Sequence, residues 1–436
     1  MQRVYETIMQ RGIRPFLGGF LLATAAALPF NISAQCDGER YREFVFSSWD
    51  VESDVQYGAN LNSGGNMQNL FLDVYTPEGD SETDRPLIIV AHGGSFVAGS
   101  KTGNDVVPLC QDFARLGYVA ASIQYRLGAT DPGQFIPTPN SVTKAVWRAV
   151  HDARAAIRFF RKSAEEDGNP YGINPDKVFM VGVSAGGFMA LHTGFLNSLD
   201  EVPEGIDMDA PGLDGGLEGN SGNAGFSSEL TAIVNIAGAI GDTTWMQANE
   251  TPVLSFHGDE DGTVPYGSET LVFLGFINLI PVDGSASIQA RAENIGLTAC
   301  LETHEGFDHV PHSTNSDIYD TTIVISRNWL YHFVCDAPLT CEYGPAPIPT
   351  SVDEVVAVGR VKAFPNPVRD HVNVDLSELG AGVHLRLFNT LGALVFDYGI
   401  QNADWVTLHR QGLPAGMYLL EVTHRSERNT IRLIMD

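Results

Sequence analysis

Residues 182–186 read Gly182-Val183-Ser184-Ala185-Gly186, one hydroxyl held between two glycines, after the apolar run Val178-Phe179-Met180-Val181 and before the helix-forming run Phe188-Met189-Ala190-Leu191. A strand feeding a helix through so tight a turn exposes the serine Oγ at the strand end. A serine hydroxyl is a poor nucleophile by itself. It needs a base to take its proton, a carboxylate to orient that base, and donors for the oxyanion that forms when it attacks a carbonyl. Each part has a candidate further along the chain.

For the carboxylate, His257-Gly258-Asp259-Glu260-Asp261-Gly262-Thr263-Val264-Pro265 follows the apolar run Val253–Phe256. The spacing His-Gly-x-x-Asp-x-x-Val-Pro selects Asp261, with Asp259 in reserve and a merely solvated acidic loop as the plain reading. For the base, Glu305-Gly306-Phe307-Asp308-His309-Val310-Pro311 lies beyond the last strand expected, which selects His309. His304 falls within that strand and His312 follows a proline, so both read as ordinary polar residues. Oxyanion donors are expected from the amides of Ala185, where the following helix begins and its dipole favours negative charge, and of Gly94 and Ser95 in His92-Gly93-Gly94-Ser95-Phe96. His92 itself reads as a loop brace. The chain order Ser184, Asp261, His309 is that of one sheet architecture and differs from other triad enzymes. Nothing in this chemistry calls for a metal or an organic cofactor.

Alternation of buried runs and helical stripes supplies the elements that must hold these groups. Strands are expected at Asn69–Tyr75, Pro86–Ala91, Tyr118–Ile123, Val178–Val183, Ala232–Ala237, Val253–Phe256 and Thr298–Thr303, with helices at Asp105–Leu116, Val142–Ala164 and Tyr319–Phe333. The second helix carries an apolar stripe from Val142 to Phe160, and its Arg and Lys residues are expected on a wet face. Strand and helix alternating in this way predict a mostly parallel sheet covered on both sides.

Taken together, HGGSF, GVSAGG, HGDEDGTVP and EGFDHVPH make residues 69–334 resemble the α/β-hydrolase family, in particular its carboxylesterase and lipase-like members. The resemblance implies an α/β fold of that type and an acyl-enzyme mechanism on an ester. Ser95 departs from the HGGG form of many such esterases, which carry a third Gly there. A serine peptidase of the same fold is the first alternative, although only a short mature segment precedes the first strand. A non-catalytic, hydrolase-like binding protein is the second.

Residues 1–34 read as a signal peptide: Arg3, Arg11 and Arg14, then an apolar run from Phe16 to Phe30, then Ile32-Ser33-Ala34 as a small-residue cleavage site. The run is about 15 residues, short of the roughly 20 that span a bilayer. No membrane span is therefore expected. The formal net charge of −27 falls to −29 once those residues, with three Arg and one Glu, are removed, which disfavours nucleic acid and anionic surfaces. Five cysteines in an exported chain (Cys36, Cys110, Cys300, Cys335, Cys341) predict one or two disulfides with a thiol left over, in no particular pairing; no CxxC pair suggests zinc.

Domain boundaries are expected at 35–335 for the catalytic domain, 336–360 for a proline-containing linker and 361–436 for a small all-β sandwich with strands such as Val372–Leu376 and Met417–Val422. Phe364-Pro365-Asn366-Pro367, Leu387-Phe388-Asn389, Leu391-Gly392 and Leu413-Pro414-Ala415-Gly416-Met417-Tyr418 resemble the sorting domain on cargo of the Bacteroidetes type IX secretion system. That resemblance implies the secretion machinery as a partner and a secreted or cell-surface location; a carbohydrate-binding module is the rival. The loop from Glu201 to Ser228, with Asp242–Trp245, is expected to shape the pocket. Asp207, Asp209 and Asp214 in that loop invite a calcium reading, but solvated acids fit them better. An extracellular ester is expected as substrate, from acylated or feruloylated polysaccharide, lipid or polyester.

Overall fold

The computed structural model describes residues 34–36, 38–203, 206–274, 276–345, 361–389, 393–410, 412–424 and 427–436. Almost all of the segment expected as a signal peptide, and residues 346–360 of the expected linker, lie outside the described residues. The chain divides into two compact units.

The first unit contains, in chain order, β1 (Trp49–Leu61), β2 (Met67–Pro77), β3 (Arg85–Ala91), α1 (Val107–Leu116), β4 (Val119–Ile123), α2 (Pro139–Glu166), β5 (Ile173–Val183), α3 (Ala185–Phe195), β6 (Ala232–Ile236), β7 (Val253–Gly258), β8 (Ser268–Phe273), β9 (Ile277–Asp283), α4 (Ser285–Ile295), β10 (Ala299–His304) and α5 (Ser316–Cys335). Eight strands form one sheet in the order β1-β2-β4-β3-β5-β6-β7-β10. β1 and β2 pair antiparallel, as do β2 and β4, and the remaining pairs are parallel. Every residue of β3, β4, β6 and β7 is buried. That burial is why these strands read as unbroken apolar runs: helices cover both sheet faces, and no solvent face remains to impose alternation. α2 begins with Thr138, whose hydroxyl accepts from the Ser141 amide while Ser141 Oγ accepts from the Thr138 amide, with Pro139 at the first helical position.

The wet face expected for α2 is corrected by the structure. Arg148, Arg154 and Arg158 are buried beneath the loop that precedes β6. Arg148 Nε donates to the Pro211 carbonyl, Arg154 Nη1 and Nη2 to the carbonyls of Leu217 and Leu196, and Arg158 to the carbonyls of Glu218 and Gly222. An irregular loop carries carbonyls without ladder partners, and these guanidinium groups satisfy them. Beneath them Arg126 and Asp152, both fully buried, form an ion pair at 2.7 Å, completed by Ser221 Oγ.

Cys36 is joined to Cys335 and Cys300 to Cys341, leaving Cys110 free and buried. The second bridge accounts for a difference from the expected boundary: Cys341–Pro345, placed by sequence in the linker, belong to the first unit. Asn328 Nδ2 on α5 also donates to the Glu342 carbonyl there.

The second unit contains β11 (Lys362–Phe364), β12 (His371–Asp375), β13 (Val383–Asn389), β14 (Leu394–Gln401), β15 (Trp405–His409), β16 (Gly416–His424) and β17 (Glu427–Met435). They form a three-stranded antiparallel sheet, β11-β12-β15, and a four-stranded one, β14-β13-β16-β17. Alternate residues of these strands, including Val372, Val374, Leu385, Leu387, Leu420 and Val422, make a core separate from that of the first unit. Among the described residues no helix is long and apolar enough to cross a membrane.

Candidate active site

Ser184 stands between β5 and α3 with φ 54° and ψ −114°, a conformation costly for a residue with a Cβ. The two flanking glycines explain how the turn can be so sharp. A Cβ on Gly182 would overlap the Gly186 carbonyl, and one on Gly186 would overlap the Ala91 carbonyl at the end of β3. The Ser184 amide donates to the Ile236 carbonyl of β6 at 2.8 Å, which ties the elbow to the neighbouring strand.

From that elbow a line of hydrogen bonds runs through all three groups expected from sequence. Ser184 Oγ lies 2.8 Å from His309 Nε2, and His309 Nδ1 lies 2.6 Å from Asp261 Oδ2. Asp261 Oδ1 accepts the amides of Thr263 and Val264, each at 2.8 Å. Burial of Asp261 by itself pushes its carboxyl up. The donors His257, His309 and the Val264 amide outweigh that and hold it well below the usual carboxylate range. The reserve acid, Asp259, is exposed, and its Oδ1 accepts the Gly306 amide at 2.6 Å. Asp308 Oδ1 accepts the Gly262 amide at 2.9 Å. These two carboxylates stitch the acid loop to the histidine loop. Val310, next to His309, takes a left-handed conformation, φ 46° and ψ 52°, that β-branched residues rarely adopt.

The other histidines occupy other places. His304 is buried against the Phe256 ring, and burial lowers its pKa. His312 is buried with neither ring nitrogen hydrogen-bonded, and burial pushes its pKa down to about 4. His92 stacks on Tyr125 at 4.2 Å and its Nδ1 meets the Gly93 carbonyl at 2.7 Å, as a loop brace would.

Gly94, Ser95 and Phe96 take three successive positive φ values, 115°, 55° and 58°. Ser95 thus adopts the left-handed conformation that the third glycine of an HGGG sequence would take without strain. Gly93 is held by its amide, which donates to Asp105 Oδ2 at 2.7 Å. Sequence reasoning missed Asp105, because its only signal is a carboxylate just before α1. Ser95, Ser184 and Ala185 all line one cavity of about 310 Å³.

The walls of that cavity are apolar: Phe96, Pro137, Val142 and Val146 of α2, Phe188 of α3, and Leu271, Phe273 and Leu279 of the β8–β9 hairpin. The hairpin was not foreseen. The loop expected to shape this pocket lies elsewhere, over the α2 arginines. Asp242 and Trp245 instead line a neighbouring cavity of about 410 Å³, together with Val202 and His192; Val146 and Phe188 border both cavities. In the acidic loop Asp207 Oδ1 accepts the Asp209 amide and Asp214 Oδ2 accepts from Asn220. Among the described residues no group of three or more His, Cys, Asp or Glu is placed to hold a metal ion.

A mostly parallel sheet with a strained serine at the end of its fifth strand, and acid and histidine on the loops after β7 and β10, is the architecture of an α/β-hydrolase. Residues 72–241 match the model of the BD-FAE family, and residues 362–436 match the secretion system C-terminal sorting domain. The chain therefore carries an α/β-hydrolase domain of esterase-family type followed by a type IX sorting domain, which directs it to the cell surface or extracellular space.

Among curated relatives, the chain is 36% identical over 119 residues to pyrethroid hydrolase Ces2a of Mus musculus, covering 27% of this chain and 19% of that protein. It is 26% identical over 185 residues to carboxylesterase patB of Penicillium expansum, covering 39% and 30%. The chain thus spans a third or less of the length of these relatives. Solved structures similar to it include the propionate-bound esterase 2 of Thermogutta terrifontis, at 23% identity and TM-score 0.47, covering 67% of this chain and 97% of that one. A truncated carbohydrate esterase from gut microbiota is 19% identical with TM-score 0.46, covering 67% and 98%.

Proposed function

We propose that this protein is a secreted serine carboxylic-ester hydrolase working through an acyl-enzyme on Ser184. The continuous hydrogen-bonded line Ser184–His309–Asp261 carries the reading. Ser184 Oγ attacks the ester carbonyl while His309 Nε2 takes its proton; Asp261 holds Nδ1–H and balances the imidazolium that forms. The amides of Ala185, Gly94 and Ser95 receive the developing oxyanion. His309 then returns the proton to the departing alcohol, and a water deprotonated by the same nitrogen releases the acid.

The apolar cavity beside Ser184 suits an apolar or aromatic acyl group, and its volume lies at the lower end of the range for small-molecule sites. Acylated or feruloylated polysaccharide, lipid and polyester are the extracellular sources we consider. The matched sorting domain supports delivery outside the cell by the type IX machinery. No step in this scheme uses nucleic acid, a metal or an organic cofactor.

The test is a panel of p-nitrophenyl esters of increasing chain length, run beside methyl ferulate, acetylated xylan and a peptide substrate. Ester turnover that declines as the acyl chain outgrows the cavity is expected, and Ser184→Ala should remove it. Peptide cleavage without ester turnover would overturn the esterase reading.

A further inference from the structure

Behind Asp261 the hydrogen bonding does not stop. His257, fully buried on β7, places Nε2 3.1 Å from the Val264 carbonyl and 3.2 Å from Asp261 Oδ2. Both neighbours only accept, so this nitrogen carries the proton. Its Nδ1 lies 2.7 Å from Ser285 Oγ, the first residue of α4. Ser285 Oγ in turn accepts from Asn235 Nδ2 of β6 at 3.2 Å, and Asn235 Oδ1 accepts the Gly238 amide at 3.0 Å. The Gly238 amide therefore fixes which way the Asn235 side chain points. Asn235, Ser285 and His257 are each fully buried.

The direction of every bond follows. Asn235 N–H donates to Ser285, whose own hydroxyl hydrogen has His257 Nδ1 to go to, and this leaves the His257 proton on Nε2, facing the acid. Asn235 also lies directly under the nucleophile helix, since a Cβ on Gly187 would meet Asn235 Oδ1 at 2.5 Å.

Resting on the reading of Ser184 as nucleophile, we propose that Asn235, Ser285 and His257 form a buried relay that fills the His257 Nδ1 lone pair, holds the ring in place and so positions the catalytic carboxylate. His257 and Ser285 are positioning residues: they touch no substrate and act through Asp261. Without Ser285 the buried Nδ1 lone pair of His257 has no donor, and the ring is no longer held with its Nε2–H against the Val264 carbonyl and Asp261 Oδ2. The turn that supplies two amides to Asp261 Oδ1 would then lose an anchor, and the carboxylate would turn more of its charge toward His309. Among the described residues, Asp308 stands beside His309, His257 lies behind the acid, His312 on the next turn interacts with His309, and His304 on β10 interacts with His257 and His312.

The experiment is a double-mutant cycle on the full chain, with wild type, Ser285→Ala, Asp261→Asn and the double variant assayed on p-nitrophenyl acetate across pH. Ser285→Ala is expected to lower kcat about tenfold with KM within twofold. It should also move the acid limb of kcat/KM to higher pH, because a carboxylate with fewer donors holds the His309 cation more tightly. Added to Asp261→Asn, it should cost nothing further. Ser285→Cys, which keeps a weak donor, should fall between wild type and Ser285→Ala, and it serves as the second variant if the alanine form does not accumulate.

Equal losses in both backgrounds, or full kcat with an unmoved acid limb, would overturn the relay. Failure of the underlying reading looks different: the wild type itself would then resist a fluorophosphonate probe.

Discussion

Ser184, His309 and Asp261 come from loops 125 and 48 residues apart in sequence, yet each was legible in its own short motif. The reason is local: a strand-to-helix elbow tolerates only glycine at close approaches, so Gly182 and Gly186 mark Ser184 wherever the rest of the chain goes. The choice between Asp259 and Asp261 was harder, because three acids crowd one turn and only spacing separates them. In the structure the two make different contacts, Asp261 Oδ2 with His309 Nδ1 and Asp259 Oδ1 with the Gly306 amide. Asp261→Asn is therefore expected to lower kcat by several orders of magnitude, about 10⁴ where the geometry is otherwise kept. Asp259→Asn should stay within about fivefold, the loss of roughly one solvent-exposed hydrogen bond. Steady-state kinetics on one ester decides it: comparable losses would reassign the acid. His257 stood within a recognised motif without a role, since its partner Ser285 lies on a helix that the sequence did not reveal.

At the scale of elements, the buried parallel strands were legible because burial on both faces leaves them continuously apolar. β1 was not. Trp49–Leu61 lies at the sheet edge, is mostly exposed along its first half, and carries Asp50, Glu52 and Asp54, which conceals its period. The β8–β9 hairpin is likewise partly exposed, and α4 buries only Ser285, Ile288 and Ala292, too narrow a stripe to announce a helix. These omissions displaced the expected pocket: the wall supplied by the hairpin was missing, and the Gly- and Asp-rich loop was put in its place. The arginines of α2 misled for a related reason. A guanidinium group reads as solvated unless something offers it acceptors, and here the acceptors are carbonyls of an irregular loop more than fifty residues later.

For the whole molecule, buried neutral histidines set the acid limit of stability. Burial pushes His151, His192 and His312 down to about 4, whereas in an unfolded chain each takes up a proton near 6.5. Between those values the unfolded state binds protons that the folded state refuses, so stability falls as pH drops through this window. Asp261 acts in the same direction further down: its depressed pKa contributes stability that is present above about 4, the unfolded carboxylate value, and is lost as pH falls below it. Urea midpoints measured at intervals from pH 7.5 to 4 should decline, most steeply below about 6.5. A midpoint constant over that range would contradict the burial of these rings. The sorting domain was legible as a separate unit because a proline-containing stretch precedes a run of short alternating strands with no helical stripe among them, and its core is its own.

On the proposed mechanism Ser184 forms the covalent intermediate. Incubating the full chain with a fluorophosphonate, digesting it and locating the adduct by mass spectrometry tests this most directly. One adduct is expected, on the peptide containing Ser184, forming far more slowly in His309→Ala and absent from Ser184→Ala. Ester turnover that survives with Ser184 unmodified, or an adduct on another serine, would contradict it.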